Sequence, residues 1–225
     1  MPMVEPAHLG AGPEHWNAVH ERRTPDQLTW YQPTPQKSLA LIELAGLGPS
    51  HRIVDVGGGS SRLCDELIDA GYLDVTVVDI SVAALAHVAA RISTPGDRVS
   101  LVEQDVGDFR SDRPFDLWHD RAVFHFLTDE HQRDRYVGSL AANLSDRGHV
   151  LMASFGLDGP DSCSGLPVMR YGADSLSAAL GPWLEAIDFE EEIHVTPAGG
   201  TQHFIYGLFR RIDRRAQSTS VGVGG

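Results

Sequence analysis

The stretch Arg52-Ile53-Val54-Asp55-Val56-Gly57-Gly58-Gly59-Ser60-Ser61-Arg62-Leu63 decides how the rest of the chain is read. Arg52 to Val56 has the β-branched, apolar character of a buried parallel strand, and three glycines follow where such a strand turns sharply into a helix. Glycine accepts positive φ and lets a ligand approach the backbone, while a helix start presents unpaired N–H groups. A dinucleotide site asks for G-x-G-x-x-G with a pyrophosphate at the helix start. Gly57 and Gly59 fit that pattern, but Arg62 stands at its third position. Asp55, two residues before the first glycine, repels a pyrophosphate and suits a cofactor carrying an ammonium and a sulfonium. Taken alone, the turn is also compatible with one that binds nothing.

Working outward, Pro35 to Leu47 reads as a helix ending at Gly46 or Gly48, and it leads into this strand. Downstream, Arg62 to Ala70 reads as a helix closed by Gly71, and Val75 to Val78 as a second buried strand ending at Asp79. Ser81 suits the N-cap of a helix over Val82 to Ile92, which Thr94-Pro95-Gly96-Asp97 breaks before a third strand, Arg98 to Glu103. A fourth strand spans Phe115 to Trp118. Thr128 suits the cap of a helix with Tyr136, Val137, Leu140, Ala141 and Leu144 on its apolar face, and Asp146-Arg147-Gly148 turns into a fifth strand, His149 to Phe155.

After Phe155 a loop over Gly156 to Tyr171 and a short helix around Ser175 to Leu180 are expected. Trp183 to Val195 and Gln202 to Phe209 then form two long strands separated only by Thr196-Pro197-Ala198-Gly199-Gly200, a hairpin spacing rather than a helical crossover. An antiparallel strand therefore closes the sheet.

The length of 225 residues, 42% of them hydrophobic, suits one α/β domain. We divide the chain into an N-terminal extension or lid (1–34), a cofactor-binding domain (35–212) and a flexible tail (213–225). The extension is rich in Pro, His and charge, and its aromatics Trp16, Trp30 and Tyr31 must pack on something, as in a partly helical lid. A formal charge of −13 disfavours nucleic acid and anionic membrane as partners. The basic cluster Arg210, Arg211, Arg214 and Arg215 reads as a solvated strand end. Two cysteines, Cys64 and Cys163, make no disulfide framework and point to a reducing compartment. The N-terminus lacks the basic start and apolar run of a leader, and no membrane-length apolar run occurs, so a cytoplasmic protein is expected.

Asp55-x-Gly57-x-Gly59-x-Ser61 resembles the first motif of the S-adenosylmethionine-dependent methyltransferases of the class I, Rossmann-like type, with Ser61 where that family most often has glycine. The resemblance implies a three-layer α/β sandwich. Its mostly parallel seven-stranded sheet is closed by an antiparallel C-terminal hairpin. S-adenosyl-L-methionine is the implied cofactor.

Asp79, about 20 residues beyond the glycines, stands where an acid accepts from ribose hydroxyls in either cofactor class, with Ile80 beside it. Asp105 ends the third strand; the resemblance implies that it accepts from the adenine amino group while Val106 packs on the ring. Gly57, Gly58, Gly59, Asp55 and the backbone at His119 are expected around the methionine end, with Trp30 and Tyr31 over the top.

For the acceptor, the polar run after the fourth strand supplies His119, Asp120, Arg121 and His125, because loops leaving strand carboxyl ends carry chemistry in such sheets. Either histidine suits an acid/base or orienting role, and a packing histidine is the competing reading. Asp120 and Arg121 are equally compatible with a simple ion pair. This run resembles the Asp-Arg segment of the thiopurine methyltransferase family. It also resembles lysine methyltransferases of the same fold, which carry an Asp-Lys-Gly run there and a Trp- and Tyr-rich N-terminal segment. Cys163 reads as a loop thiol, and His119, His125, His194 and His203 match no metal-ligand spacing, so no metal is expected.

Methyl transfer from a sulfonium needs alignment more than acid/base machinery, which favours a sulfur, selenium or nitrogen nucleophile on a small-molecule acceptor. A protein lysine acceptor and a non-catalytic cofactor-binding regulator are the alternatives. A nicotinamide dehydrogenase is set aside by Asp55, Arg62 and the closing hairpin.

Overall fold

A computed structural model describes residues 8–92 and 98–212. The expected break at Thr94 to Asp97 and the tail from residue 213 lie outside the described residues. The core of the fold is a seven-stranded sheet in the order β3-β2-β1-β4-β5-β9-β8. Its strands are β1 (Arg52–Val56), β2 (Asp74–Asp79), β3 (Val99–Glu103), β4 (Phe115–Arg121), β5 (Leu144–Phe155), β8 (Leu184–Val195) and β9 (Thr201–Arg211). Strands β1 to β5 pair in parallel, and β9 runs antiparallel to both β5 and β8. The remaining strands, β6 (Ser162–Cys163) and β7 (Leu166–Pro167), form a small hairpin within the stretch expected to be a loop.

Side chains alternate between the two faces of a strand, and the parallel strands are apolar on both. On one face Val54, Val56, Val78, Trp118, Val150 and Met152 pack under α5 (Glu130–Asn143) and α6 (Ala173–Leu180). On the other, Ile53, Val75, Val77, Leu117 and Leu151 pack against α2 (Gln36–Leu44), α3 (Leu63–Asp69) and α4 (Val82–Arg91). Each fully buried Val, Leu or Ile contributes roughly 1.5–3 kcal/mol, so two covered faces suffice for a stable three-layer sandwich. Ahead of α2, the N-terminal segment forms α1 (Pro13–Arg22) and a 3-10 turn at Pro25–Gln27.

Local signals fare unequally. The Ser81 hydroxyl does cap α4, accepting from the Ala84 N–H at 3.1 Å. The cap of α5 is Asp129 rather than Thr128, because the Asp129 carboxylate accepts from the Gln132 N–H. Residues 146–148 lie within β5, which starts at Leu144, but the register jumps from Leu144 opposite Phe115 to His149 opposite Leu117, so the expected turn is a bulge of three extra residues inside the strand. The expected end of β4 at Trp118 is also too early. Asp55 and Val56 of β1 pair with His119 and Asp120, while Met152 and Ala153 of β5 pair with Asp120 and Arg121. Two flanking strands thus hold the polar residues His119 to Arg121 in extended form.

Candidate functional site

That extra turn of strand sets the site, because alternation sends His119 and Asp120 to opposite faces. Asp55 and His119 are register partners on adjacent parallel strands. The His119 Nδ1–H donates to Asp55 Oδ1 at 2.7 Å, and on the far side of the ring Ser38 Oγ of α2 lies 2.9 Å from Nε2. All three side chains are buried, and Asp55 Oδ2 has no hydrogen-bond partner.

Beside this chain the main chain turns without side chains. Gly57 has φ +64°, and a Cβ there would stand 2.1 Å from Val123 Cγ2. A Cβ on Gly58 would stand 2.3 Å from Asp55 Oδ2, so the carboxylate lies directly beneath bare backbone. The Gly59 N–H donates to Asp79 Oδ2 at 3.0 Å and the Ser81 N–H to Asp79 Oδ1 at 2.8 Å. Burial pushes the Asp79 carboxyl up to about 6 against these bonds.

One cavity gathers most of the residues singled out from the sequence. Asp55, Gly57, Gly58, Asp79, Ile80, Asp105 and Val106 line it along the strand ends, with His119 and Arg121 from β4 and with Trp30 and Tyr31 above. Gly59 and two of the acceptor candidates are absent from its wall. Asp120 is fully buried on the other face, where it accepts from the Val123 N–H at 2.8 Å and the Phe124 N–H at 3.1 Å and receives the Tyr136 hydroxyl. Trp118 Nε1 donates to that same hydroxyl at 2.8 Å. Burial drives the Asp120 carboxyl up to about 6, with the Tyr136 hydrogen bond opposing it. Its work is structural: it pins the turn in which Ala122 takes a strained φ of 77° and from which Val123 meets Gly57.

His125 is likewise sealed off. Its ring lies edge-on to Phe126 at 4.5 Å and tilted on Phe155 at 4.6 Å, and neither ring nitrogen has a partner. Burial, helped by the Arg121 charge, pushes it down to about 3. A histidine held neutral away from the cavity wall is a packing residue.

Arg121 does not pair with Asp120. Its Nε donates to the Tyr206 hydroxyl and its Nη1 to the Trp30 carbonyl, both at 2.9 Å, and the guanidinium lies 4.4 Å over the Phe204 ring. The N-terminal segment is fastened at several further points. The Leu9 N–H donates to Asp105 Oδ2 at 2.7 Å, and Asn17 Oδ1 accepts from Ser81 Oγ at 2.7 Å. His194 Nε2 bonds the Thr29 carbonyl at 2.8 Å, Gln32 donates to Glu192, and Lys37 pairs with Glu190.

Segment residues thus form part of the wall. Leu9, Trp16, His20 and Gln32 line the cavity from above, and Cys163 of β6 lies on its rim with burial raising its thiol. Sequence reasoning missed Ser38, His20 and Gln32, since no local motif marks them and only the packing of α2 and the folded path of the segment bring them in. Among the described residues no three His, Cys, Asp or Glu side chains form a metal-binding group, and no helix is long and apolar enough to cross a membrane.

Residues 53–148 match the family model described as a methyltransferase domain. Over that stretch, less than half of the chain, it is similar to a methyltransferase domain. The fold is shared with a structure that concerns conversion of a disulfide bond into a thioacetal group during echinomycin biosynthesis, with a TM-score of 0.73, 20% identity and coverage of 92% of this chain and 95% of that one. It is shared too with the 1,6-didemethyltoxoflavin-N1-methyltransferase of Burkholderia thailandensis bound to 1,6-didemethyltoxoflavin and S-adenosylhomocysteine, with a TM-score of 0.66, 20% identity and 94% of each chain covered. Among curated proteins, the eEF1A lysine and N-terminal methyltransferase of Bos taurus is 25% identical over 153 residues, 63% of this chain and 21% of that protein. The chain thus spans about a fifth of the length of the curated relatives it matches.

A buried carboxylate oxygen without a partner lies under a glycine backbone that no side chain could share, which fits an ammonium-bearing ligand laid against main chain.

Proposed function

We propose that this chain uses S-adenosyl-L-methionine to methylate a small-molecule acceptor. The observation that carries the reading is the roof: the segment from Leu9 to Gln32 lies over the strand ends and supplies part of the cavity wall, so an acceptor must fit inside. Asp55 takes the ammonium, Gly57 and Gly58 the methionine chain, Asp79 with Ile80 the ribose, and Asp105 with Val106 the adenine. Bound there, the cofactor supplies an electrophilic methyl on a sulfonium with a neutral leaving group.

The residues around it then have three tasks, namely to fix the donor, to hold the nucleophile in line and to exclude water. Trp16, Trp30 and Phe126 contribute an apolar, interlocked wall, with ring centroids 6.4 Å and 5.0 Å from Trp16, that keeps water out. Arg121, Gln32, Tyr31 and Cys163 supply the polar surface on which the acceptor is oriented. Nothing in that set is a strong base, which suits a sulfur, selenium or nitrogen nucleophile with modest need for deprotonation. The toxoflavin enzyme, whose acceptor is small, supports this reading.

The similarity to the eEF1A lysine and N-terminal methyltransferases supports a second reading, a protein acceptor. Incubating the protein with methyl-labelled cofactor and a cell lysate separates them. Label in extractable small compounds is expected; label confined to macromolecules overturns the small-molecule reading.

A further inference from the structure

We propose that Ser38 and His119 are positioning residues that hold the Asp55 carboxylate for the amino group of the methionine end, rather than an acid/base pair for the acceptor. This rests on the cofactor reading above and assigns the support of one of its contacts. The geometry runs in a line. Asp55 Oδ1 is taken by the His119 Nδ1–H at 2.7 Å, and the opposite edge of the ring is held by Ser38 Oγ at 2.9 Å.

Only Asp55 Oδ2 remains without a partner; it is buried against Gly58, where a Cβ would stand 2.3 Å from it, and both residues line the cavity. Both His119 ring nitrogens are engaged, Nδ1 with Asp55 and Nε2 with Ser38, so the ring has no free nitrogen to offer an acceptor as a base must. A carboxylate with one oxygen fixed and one free is instead pre-oriented for a cation. Nδ1 faces Asp55 and Nε2 faces Ser38 Oγ, so the two bonds together fix the ring plane.

The two supporting residues come from distant parts of the chain. His119 arrives through the β1–β4 register, and Ser38 sits in the first turn of α2. Their effect should therefore be confined to ligands that carry the amino group.

The test measures binding of S-adenosylmethionine, S-adenosylhomocysteine and 5′-methylthioadenosine, which lacks the amino-acid chain, by calorimetry. Ser38→Ala is expected to weaken the first two by up to about tenfold, the loss of the one hydrogen bond that holds the ring behind the carboxylate, and to leave the third unchanged. His119→Asn, which keeps an N–H for Asp55, should retain more affinity than His119→Leu, and Ser38→Ala added to Asp55→Asn should cost little more. An equal loss for all three ligands in both Ser38→Ala and His119→Leu, or full additivity with Asp55→Asn, overturns the proposal. Should Ser38→Ala fail to fold, the His119 pair decides alone. Failure of the unaltered protein to bind any of the three overturns the cofactor reading itself, whereas binding of all three with undiminished affinity in His119→Leu overturns only the positioning role.

Discussion

His125 shows at the residue scale how burial decides chemistry. A histidine four residues beyond a strand rich in polar groups looked like an acceptor-site group, yet packing between Phe126 and Phe155 pushes it down to about 3. The folded protein keeps the ring neutral while the unfolded chain protonates near 6.5, so this residue's share of stability is present at neutral pH and is lost as pH falls toward 3. Asp79 and Asp120, each raised to about 6, act with the opposite sign, since the folded state takes up their protons first. They remain in a His125→Phe variant and cancel from the comparison. With both ring nitrogens unpartnered, that substitution removes two unmet polar groups and should match or exceed wild-type stability at pH 7. Its advantage should then grow by about 1.4 kcal/mol per unit as pH falls below 6. Urea unfolding of both proteins at several pH values checks this; a gap that does not change with pH refutes it.

Elements show where the weak points lie. Helix α1 is held to α4 through Asn17, whose Oδ1 accepts from Ser81 Oγ at 2.7 Å and from the Ala83 N–H at 3.2 Å. Its other attachments are ring contacts of Trp16 with Trp30 and Phe126 and of His20 with Trp30 and His87. Such a lightly tied element opens locally before the sheet does. Asn17→Ala should therefore speed amide hydrogen exchange across Pro13–Arg22 by roughly five- to thirtyfold, the effect of one or two kcal/mol, with β1 and β4 unchanged; uniform acceleration would show that α1 is part of the global unit. The outer edge strand β8 is protected differently. Glu185, Asp188, Glu190, Glu191 and Glu192 place like charges along the very edge at which a second copy would have to pair.

Over the whole molecule that acidity becomes a stability term. A formal charge of −13 on 225 residues makes the folded state repel itself more than the expanded chain does. Surface ion pairs such as Arg113 with Asp74 and Arg210 with Glu185 are largely exposed and each contributes little. Screening should therefore help more than it harms. The urea midpoint is expected to rise between about 0.02 and 0.3 M sodium chloride as the Debye length shortens, with the slope unchanged. A midpoint that falls with salt would mean that local ion pairs outweigh the net repulsion.

The glycine turn, the two-faced strands, Asp79 and Asp105 at strand ends and the closing hairpin were all legible in the linear chain, because alternation, caps and turn chemistry are local and repeat a known period. Asp55 was legible too, as a charge beside glycines. What the residues after Trp118 do was not. Whether His119 faces the cavity and Asp120 faces α5 follows from how far β4 extends, and β1 and β5 decide that by pairing with it. His20 and Gln32 reach the cavity only because the N-terminal segment returns across the sheet, and Ser38 because α2 packs over the end of β4. Sequence by itself determined the layers and the carboxylates at the strand ends. Only the tertiary structure decided which side chains share one face with them, since a single residue of strand length or register moves a side chain to the opposite side of the sheet.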